Sequence, residues 1–201
     1  MIELSDYDNP FDAIADFENK LATYTGSPYA VATDCCTHAM ELCLRYLKPS
    51  ETITIPYRTY LSVPMLMHKL QLDYEIEEYE WEGRYQLGNT SIWDSARMLY
   101  MDMHHPSQFQ CLSFGRTKPL EIGRGGAILT DNKEAYKWFK KASYDGRDIS
   151  ISPWQDQKEF QVGYHYMMRP EECIDGINGF GNINNAYSHT YPDIRKINIA
   201  S

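Results

Sequence analysis

The stretch Ser113-Phe114-Gly115-Arg116-Thr117-Lys118-Pro119-Leu120-Glu121-Ile122-Gly123-Arg124-Gly125-Gly126 decides how the chain is read. The run at 109–114 has the composition of a buried strand, and Lys118 follows it just before a glycine cluster. Open α/β sheets bind ligands at the carboxyl ends of their strands, so this position points Lys118 at a ligand site. A lysine there can form a Schiff base with a carbonyl once its amine loses a proton. Arg116 and Arg124 are expected to push it that way, because nearby positive charge disfavours the ammonium form. The competing reading is a solvated lysine beside a glycine-rich turn, which is what most lysines are.

Working outward, the apolar spacing switches repeatedly between helix and strand. Phe11, Ile14, Phe17, Leu21 and Tyr24 recur at helical intervals over 11–24, and Gly26 closes that helix. Residues 29–33 predict a short buried strand, and Asp34-Cys35-Cys36-Thr37 leads into a helix with Met40, Leu42, Cys43, Leu44 and Leu47 on its apolar side. The β-branched run at 52–55 predicts a strand, followed by a turn at 56–59. Thr59 is expected to cap a helix reaching about Lys69, with Pro64 near its first turns, where proline is tolerated. Strands are predicted at 73–79 and 91–94, separated by a polar connection at 80–89. Residues 126–130 predict another strand, and Asp131 is expected to cap a helix to about Ala142. Residues 143–164 are loop-rich, Pro170 starts a last helix over 171–177, and 178–201 form an irregular tail. Strands alternating with helices predict the α/β class: a mostly parallel, mixed sheet flanked by helices, in one domain spanning 1–201.

The bulk properties narrow the function. With 201 residues and a net charge of −9, the chain can build a sizeable core but offers no basic face for nucleic acid. No apolar run is long enough to span a bilayer, and the acidic N-terminus lacks a signal peptide's apolar core, so a cytoplasmic location is expected. The five cysteines are an odd number, and adjacent Cys35 and Cys36 fit disulfide geometry poorly, so reduced thiols are expected. His104-His105 is a metal pair only superficially, no set of ligands has structural-zinc spacing, and no metal is assigned.

Several reactive groups fall at strand ends or strand-to-helix turns: Thr37, Tyr60, Asp94, Ser113 and Lys118. Each alone has a plain structural reading, with Asp94 and Thr37 as helix caps and Ser113 satisfying a strand-end backbone group. Their order is more specific. Phe17-Glu18-Asn19-Lys20-Leu21-Ala22 with Tyr29-Ala30-Val31-Ala32, Cys36-Thr37-His38-Ala39-Met40-Glu41-Leu42, Ile55-Pro56-Tyr57-Arg58-Thr59-Tyr60, Trp93-Asp94-Ser95-Ala96-Arg97, and Ser113 through Lys118 with Gly123-x-Gly125-Gly126 follow one another along the chain. In this order the chain resembles the DegT/DnrJ/EryC1/StrS sugar aminotransferases, over about residues 11–180.

The resemblance implies the large domain of the pyridoxal-phosphate-dependent transferase fold type I, with pyridoxal 5'-phosphate as cofactor. It implies that Lys118 carries the cofactor as a Schiff base and shuttles the proton in transamination. Asp94 would pair with the pyridinium nitrogen and Tyr60 would stack on the ring. Thr37 and Ser113 would hold the phosphate beside Cys36, and Arg97 would contact the phenolic oxygen. His165, in Gly163-Tyr164-His165-Tyr166, would reach the neighbouring subunit's site, making a homodimer with a shared active site. The implied substrates are an amino acid, glutamate for choice, and a nucleotide-linked keto-sugar.

Departures from the family pattern motivate a second reading, a non-catalytic relative that acts in binding or assembly. Arg97 stands where the family has glutamine or histidine, Cys36 where it has glycine, and Arg124 where it has an acidic residue. Met167 stands where the family often has arginine. The small C-terminal domain that follows in the family is expected to be absent. The lysine itself argues against the related dehydratases, which carry histidine at that position.

Overall fold

The computed structural model describes residues 1–185 and 191–197. The first helix, α1 (Asp12–Thr25), turns Ala13, Ile14, Phe17 and Leu21 inward at helical spacing, none more than 2% exposed. Gly26 ends it at φ 71°, a left-handed conformation that glycine adopts without a Cβ penalty, and its N–H donates to the Ala22 carbonyl. There follow β1 (Tyr29–Thr33), α2 (Cys36–Leu47), β2 (Ile53–Pro56), α3 (Ser62–Leu70), β3 (Tyr74–Glu77), β4 (Tyr85–Gln86), β5 (Ile92–Asp94), β6 (Phe109–Ser113), β7 (Gly126–Thr130), α4 (Lys133–Ala142) and α5 (Pro170–Gly179).

The expected mixed sheet flanked by helices is present. Its five strands run in the order β1-β7-β6-β5-β4, and β2 pairs with β3 in a separate two-stranded sheet. Parallel pairing is narrower than strand–helix alternation suggested, being confined to β5–β6 and β2–β3. Strand β7 runs antiparallel to both β1 and β6, and β4 antiparallel to β5. The loop between β6 and β7 folds back without a helix, which is the short return an antiparallel pair permits. Because β7 opposes both neighbours, β1, β5 and β6 share one direction. Their carboxyl ends therefore gather on one edge.

Side chains alternate across the sheet, and helices cover both faces. In β7, Ile128 packs with α2 and α4 residues such as Leu42 and Phe139. Its neighbours Ala127 and Leu129 pack on the other face with Phe17 of α1 and Ile174 of α5. This period of two is why β6 and β7 read as near-continuous apolar runs. Burying a side chain such as Phe17 or Phe139 contributes about 1.5–3 kcal/mol. Glu18, 5% exposed, ties α1 to its neighbours: it accepts from the Ala32 N–H at 2.9 Å and from Lys140 Nζ at 2.7 Å.

Several local expectations need correction. Thr59 caps no helix. Its hydroxyl lies 2.6 Å from the Tyr85 hydroxyl, and α3 starts three residues later, without a side-chain cap. Asp131 accepts from the Ser107 N–H, and Asn132 caps α4 by accepting from Glu134 and Ala135. The polar connection at 80–89 contains the short strand β4, which the sequence pattern did not reveal. In the tail, 180–182 and 194–196 form single 3₁₀ turns, whereas 186–190 and 198–201 lie outside the described residues.

Candidate active site

Asp94 ends β5 and Ser113 ends β6, on the edge where the co-directional strands finish. Beyond β6 the chain makes a tight loop in which the Phe114 carbonyl accepts from Ile122 N–H at 2.9 Å and Gly123 N–H at 3.0 Å. Lys118 lies at the head of this loop, its N–H donating to the Gly115 carbonyl at 3.2 Å. Thr117, just before it, sits at φ 65°. A β-branched residue rarely takes that left-handed conformation, and holding one there costs on the order of 1–3 kcal/mol. The strain is spent on the turn that presents Lys118.

Two helix N-termini meet beside this loop. Thr37 Oγ1, in the first turn of α2, lies 2.7 Å from Ser62 Oγ, the first residue of α3. Helix starts carry unpaired N–H groups and positive dipole ends, so this pair of hydroxyls marks a setting suited to an anion. Close approach here depends on Gly126 at the start of β7. A Cβ at that position would stand 2.4 Å from the Cys36 nitrogen and 2.5 Å from the Cys35 carbonyl carbon. Cys36 itself is buried, and burial, followed by the charge of Asp94, pushes its thiol well above its ordinary range. It is a neutral, inward-facing thiol.

Asp94 is 7% exposed. Its carboxylate accepts from the Ala96 N–H at 2.9 Å and from the Tyr85 hydroxyl at 2.8 Å, and Tyr85 in turn meets Thr59. Burial raises its proton affinity, against the pull of these hydrogen bonds and of the Lys118 and Arg97 charges. Asp94 caps no helix, because none follows β5, and its bond from the Ala96 N–H closes a local turn instead. A buried carboxylate with raised proton affinity is a natural partner for a cationic N–H.

Tyr60 and Arg97 face the same region from two other segments. The Tyr60 ring, 59% exposed, lies 6.1 Å from the Tyr191 ring, and the Arg97 guanidinium lies 5.4 Å from that ring's centre. Lys118 Nζ donates to the Tyr191 hydroxyl at 3.3 Å. The sequence pattern missed Ser62, Tyr85, Trp81 and Tyr191. A serine two residues after Tyr60 was the only local signal for Ser62, and the other three are aromatic residues in segments without periodicity.

His165 does not join this group. It is exposed and pairs with Asp145 at 3.1 Å, with no hydrogen bond to Lys118, Asp94, Thr37 or Ser113. Arg124 does not serve Lys118 either: its guanidinium donates to the Asp34 carboxylate at 2.9 Å. The other oxygen of Asp34 lies 2.6 Å from His38 Nδ1. Burial favours the neutral His38 ring, but the bonds to Asp34 and Cys35 outweigh it and raise its pKa to about 9. Asp34, Cys35 and His38 bring their ligand-type atoms within 4.8 Å, a grouping the linear pattern hid, yet both Asp34 oxygens are already taken by His38 and Arg124.

A cleft of about 490 Å³ opens beside Lys118, lined by Arg116, Lys118, Glu121, Asn182 and Asn184 among others. A larger hollow of about 710 Å³ lies at the far end of α2, around Arg45, Lys48 and Trp138, away from these groups.

Residues 5–71 and 103–184 match the family model of the DegT/DnrJ/EryC1/StrS aminotransferase family. The chain belongs to that family. The matched residues include Cys36, Thr37, Tyr60, Ser113, Lys118 and His165, whereas Asp94 and Arg97 fall between the two matched segments. No curated protein sequence matches the chain. Among solved structures, AtS13 from Actinomadura melliaura superposes with a TM-score of 0.70 at 15% identity, over 84% of this chain and 59% of its own. The sugar aminotransferase CalS13 from Micromonospora echinospora gives 0.67 at 11% identity, over 84% and 60%. Spr1654 from Streptococcus pneumoniae, in its PMP form, gives 0.66 at 16% identity, over 85% and 60%. At such identities these likenesses establish the fold, the α/β architecture of this aminotransferase family. The chain spans about three fifths of the length of each. Among the described residues no helix is long and apolar enough to cross a membrane.

Proposed function

We propose that the chain forms the cofactor-binding large domain of a pyridoxal-phosphate-dependent aminotransferase, which moves an amino group from an amino acid, glutamate by preference, to a nucleotide-linked keto-sugar. The observation that carries the proposal is the gathering of three unlike groups beyond the ends of β5 and β6: the Lys118 amine, whose charge acts on both Asp94 and Cys36, the buried Asp94 carboxylate, and the Thr37–Ser62 hydroxyl pair at two helix starts. They answer the three parts of the cofactor, its carbonyl, its ring nitrogen and its phosphate. Spr1654 has been solved in both PLP and PMP forms, and CalS13 is described as a sugar aminotransferase, which supports the cofactor and the substrate class.

Pyridoxal phosphate supplies a carbonyl for amine capture and a ring that withdraws electrons from the substrate's α-carbon. The chain supplies the rest. Lys118 is the amine that anchors the cofactor and, when free, the base that carries a proton at the substrate α-carbon. Asp94 would hold the proton on the ring nitrogen, because a cationic N–H facing it would offset the burial that raises its proton affinity in the bare chain. Thr37, Ser62 and Ser113, with the first-turn N–H groups of α2 and α3, bind phosphate oxygens. Tyr60 would cover one ring face, and Arg97 would donate to the phenolic oxygen as a charged substitute for an amide. Cys36 lines the floor beside Asp94. His165, exposed and paired with Asp145, would reach a neighbouring subunit in a homodimer with shared sites. The five free thiols, with the Cys43 and Cys111 sulfurs 3.8 Å apart in a thiol–thiol hydrogen bond rather than a disulfide, favour a reducing cytoplasm.

The contact of Tyr191 with Lys118 and the cysteine at position 36 favour a second reading, a binding or assembly relative that performs no amino transfer. One experiment separates the two. Incubated with pyridoxal phosphate and glutamate alone, an aminotransferase releases 2-oxoglutarate and leaves pyridoxamine phosphate, one for one with chain. Cofactor binding with no pyridoxamine phosphate formed, and no matching 2-oxo acid released, across a panel of amino donors would establish the second reading.

A further inference from the structure

Tyr191 belongs to the segment 191–197, beyond the last helix, and its ring stands among the groups assigned above to the cofactor ring. Its hydroxyl accepts from Lys118 Nζ at 3.3 Å. The Arg97 guanidinium lies over its ring at 5.4 Å, and Tyr60 lies 6.1 Å away. Trp81 stacks at 6.1 Å with planes 25° apart, its indole N–H donating to the Arg58 carbonyl at 2.7 Å. A flat aromatic ring bearing one hydroxyl thus touches the amine, the guanidinium and the aromatic face that a hydroxylated pyridine would need.

The segment behind Tyr191 is anchored independently of Lys118. Asp193 bridges to Arg58 in antiparallel fashion, and the Ile194 N–H donates to the Tyr57 carbonyl at 2.9 Å. The Ile194 side chain is 4% exposed, within the core that α2 and α3 share. Arg195 pairs with Glu78 at 2.6 Å and lies over the Tyr57 ring at 4.7 Å. Apart from the burial of Ile194, the anchors named here are on residues 57–58 and 78, so the segment straps across the loop that carries Tyr60.

We propose that this strap is an internal competitor for the cofactor slot: Tyr191 closes over Lys118, and pyridoxal phosphate binds only when the Tyr191 ring swings out. The strap regulates access to the site, and the inference rests on the assignment of that site to the cofactor. Two states follow, with Tyr191 in or out, and the apparent affinity for the cofactor is reduced by the fraction of chains with Tyr191 out.

The test uses Tyr191→Ala and Tyr191→Phe, the latter keeping the ring contacts and losing only the hydroxyl. The first readout needs no cofactor: an amine-acylating reagent is added, and the labelling rate of each lysine is mapped by mass spectrometry. Lys118 should label about tenfold faster in Tyr191→Ala, with Tyr191→Phe between it and the parent, while Lys137, exposed on the outer side of α4, is unchanged. The second readout is equilibrium binding of pyridoxal phosphate, which should tighten about tenfold in Tyr191→Ala. Unchanged Lys118 labelling in both variants overturns the strap, whatever the cofactor does. Weaker cofactor binding in Tyr191→Ala also overturns it and makes Tyr191 a group that positions the bound cofactor. Faster labelling with no cofactor binding in any of the three proteins sinks the cofactor assignment and leaves Tyr191 as a cover on Lys118.

Discussion

Asp94→Asn slows the reaction with glutamate by about a hundredfold or more, the usual scale for removing one positioned electrostatic group, while the protein unfolds no more easily. The two halves of this result have one cause. In the bare chain burial raises the proton affinity of Asp94, so the ionised form is a burden on the fold. The folded state then binds that proton more tightly than the unfolded one. The contribution of Asp94 to stability is therefore full below its unfolded pKa of about 3.9 and is lost as pH rises through the higher folded value. Asparagine removes the burden and can keep the bonding. The Tyr85 hydroxyl, 2.6 Å from Thr59, can turn its proton to Thr59 and accept from the new amide, while the amide oxygen still accepts from Ala96. Thermal unfolding at pH 7 should show a melting temperature equal to or above the parent's, with the gain shrinking as pH falls towards 4. The reaction rate fails because a neutral amide cannot hold a proton on a ring nitrogen. A variant that lost stability but kept its rate would make Asp94 a structural carboxylate.

Gly126→Ala is the second large effect, and it acts through the backbone. The new methyl would meet the backbone at Cys35 and Cys36, at 2.5 and 2.4 Å, and neither atom can swing aside as a side chain would. The cost is about 1–3 kcal/mol of overpacking, which for a chain of this length lowers the melting temperature by roughly 3–10 °C. Relief comes from lifting the start of α2, which carries Thr37 away from Ser62. Phosphate retention should therefore fall with stability, seen as weaker binding of pyridoxal phosphate by equilibrium dialysis. Gly181→Ala is the control, since none of the described residues lies within 4 Å of its added methyl.

These two positions also mark what the sequence could and could not reveal. Strands β1, β5, β6 and β7 and helices α1, α2, α4 and α5 were legible because their apolar spacing is local and their ends carry turn residues such as Gly26 and Pro170. The direction of β7 was not, because direction depends on how a connection folds back and on a partner far along the chain. Asp94 and Lys118 were found through motif order, while the Tyr85–Thr59 bridge that supports Asp94 joins residues 26 apart with no pattern between them. Capping shows the same limit on a smaller scale. Asp131 and Asn132 are both good caps, and only the path of the chain past Ser107 decides between them. Tyr191 was hidden most completely, in a tail whose Asn, Tyr and Gly content matches no period.

The separation of roles among the charged groups changes the account of Lys118 as well. The sequence suggested that Arg116 and Arg124 tune its amine, but Arg124 is committed to Asp34, and the group that touches the amine is the Tyr191 hydroxyl.

The most direct test of the account is covalent mapping of the cofactor. The chain is mixed with pyridoxal phosphate, the bond to lysine is fixed by borohydride reduction, and the digest is read by mass spectrometry. A phosphopyridoxyl mass is expected on Lys118 alone at one equivalent of cofactor, and it should disappear in Lys118→Ala. Label spread over exposed lysines such as Lys137, or unchanged in Lys118→Ala, would contradict it.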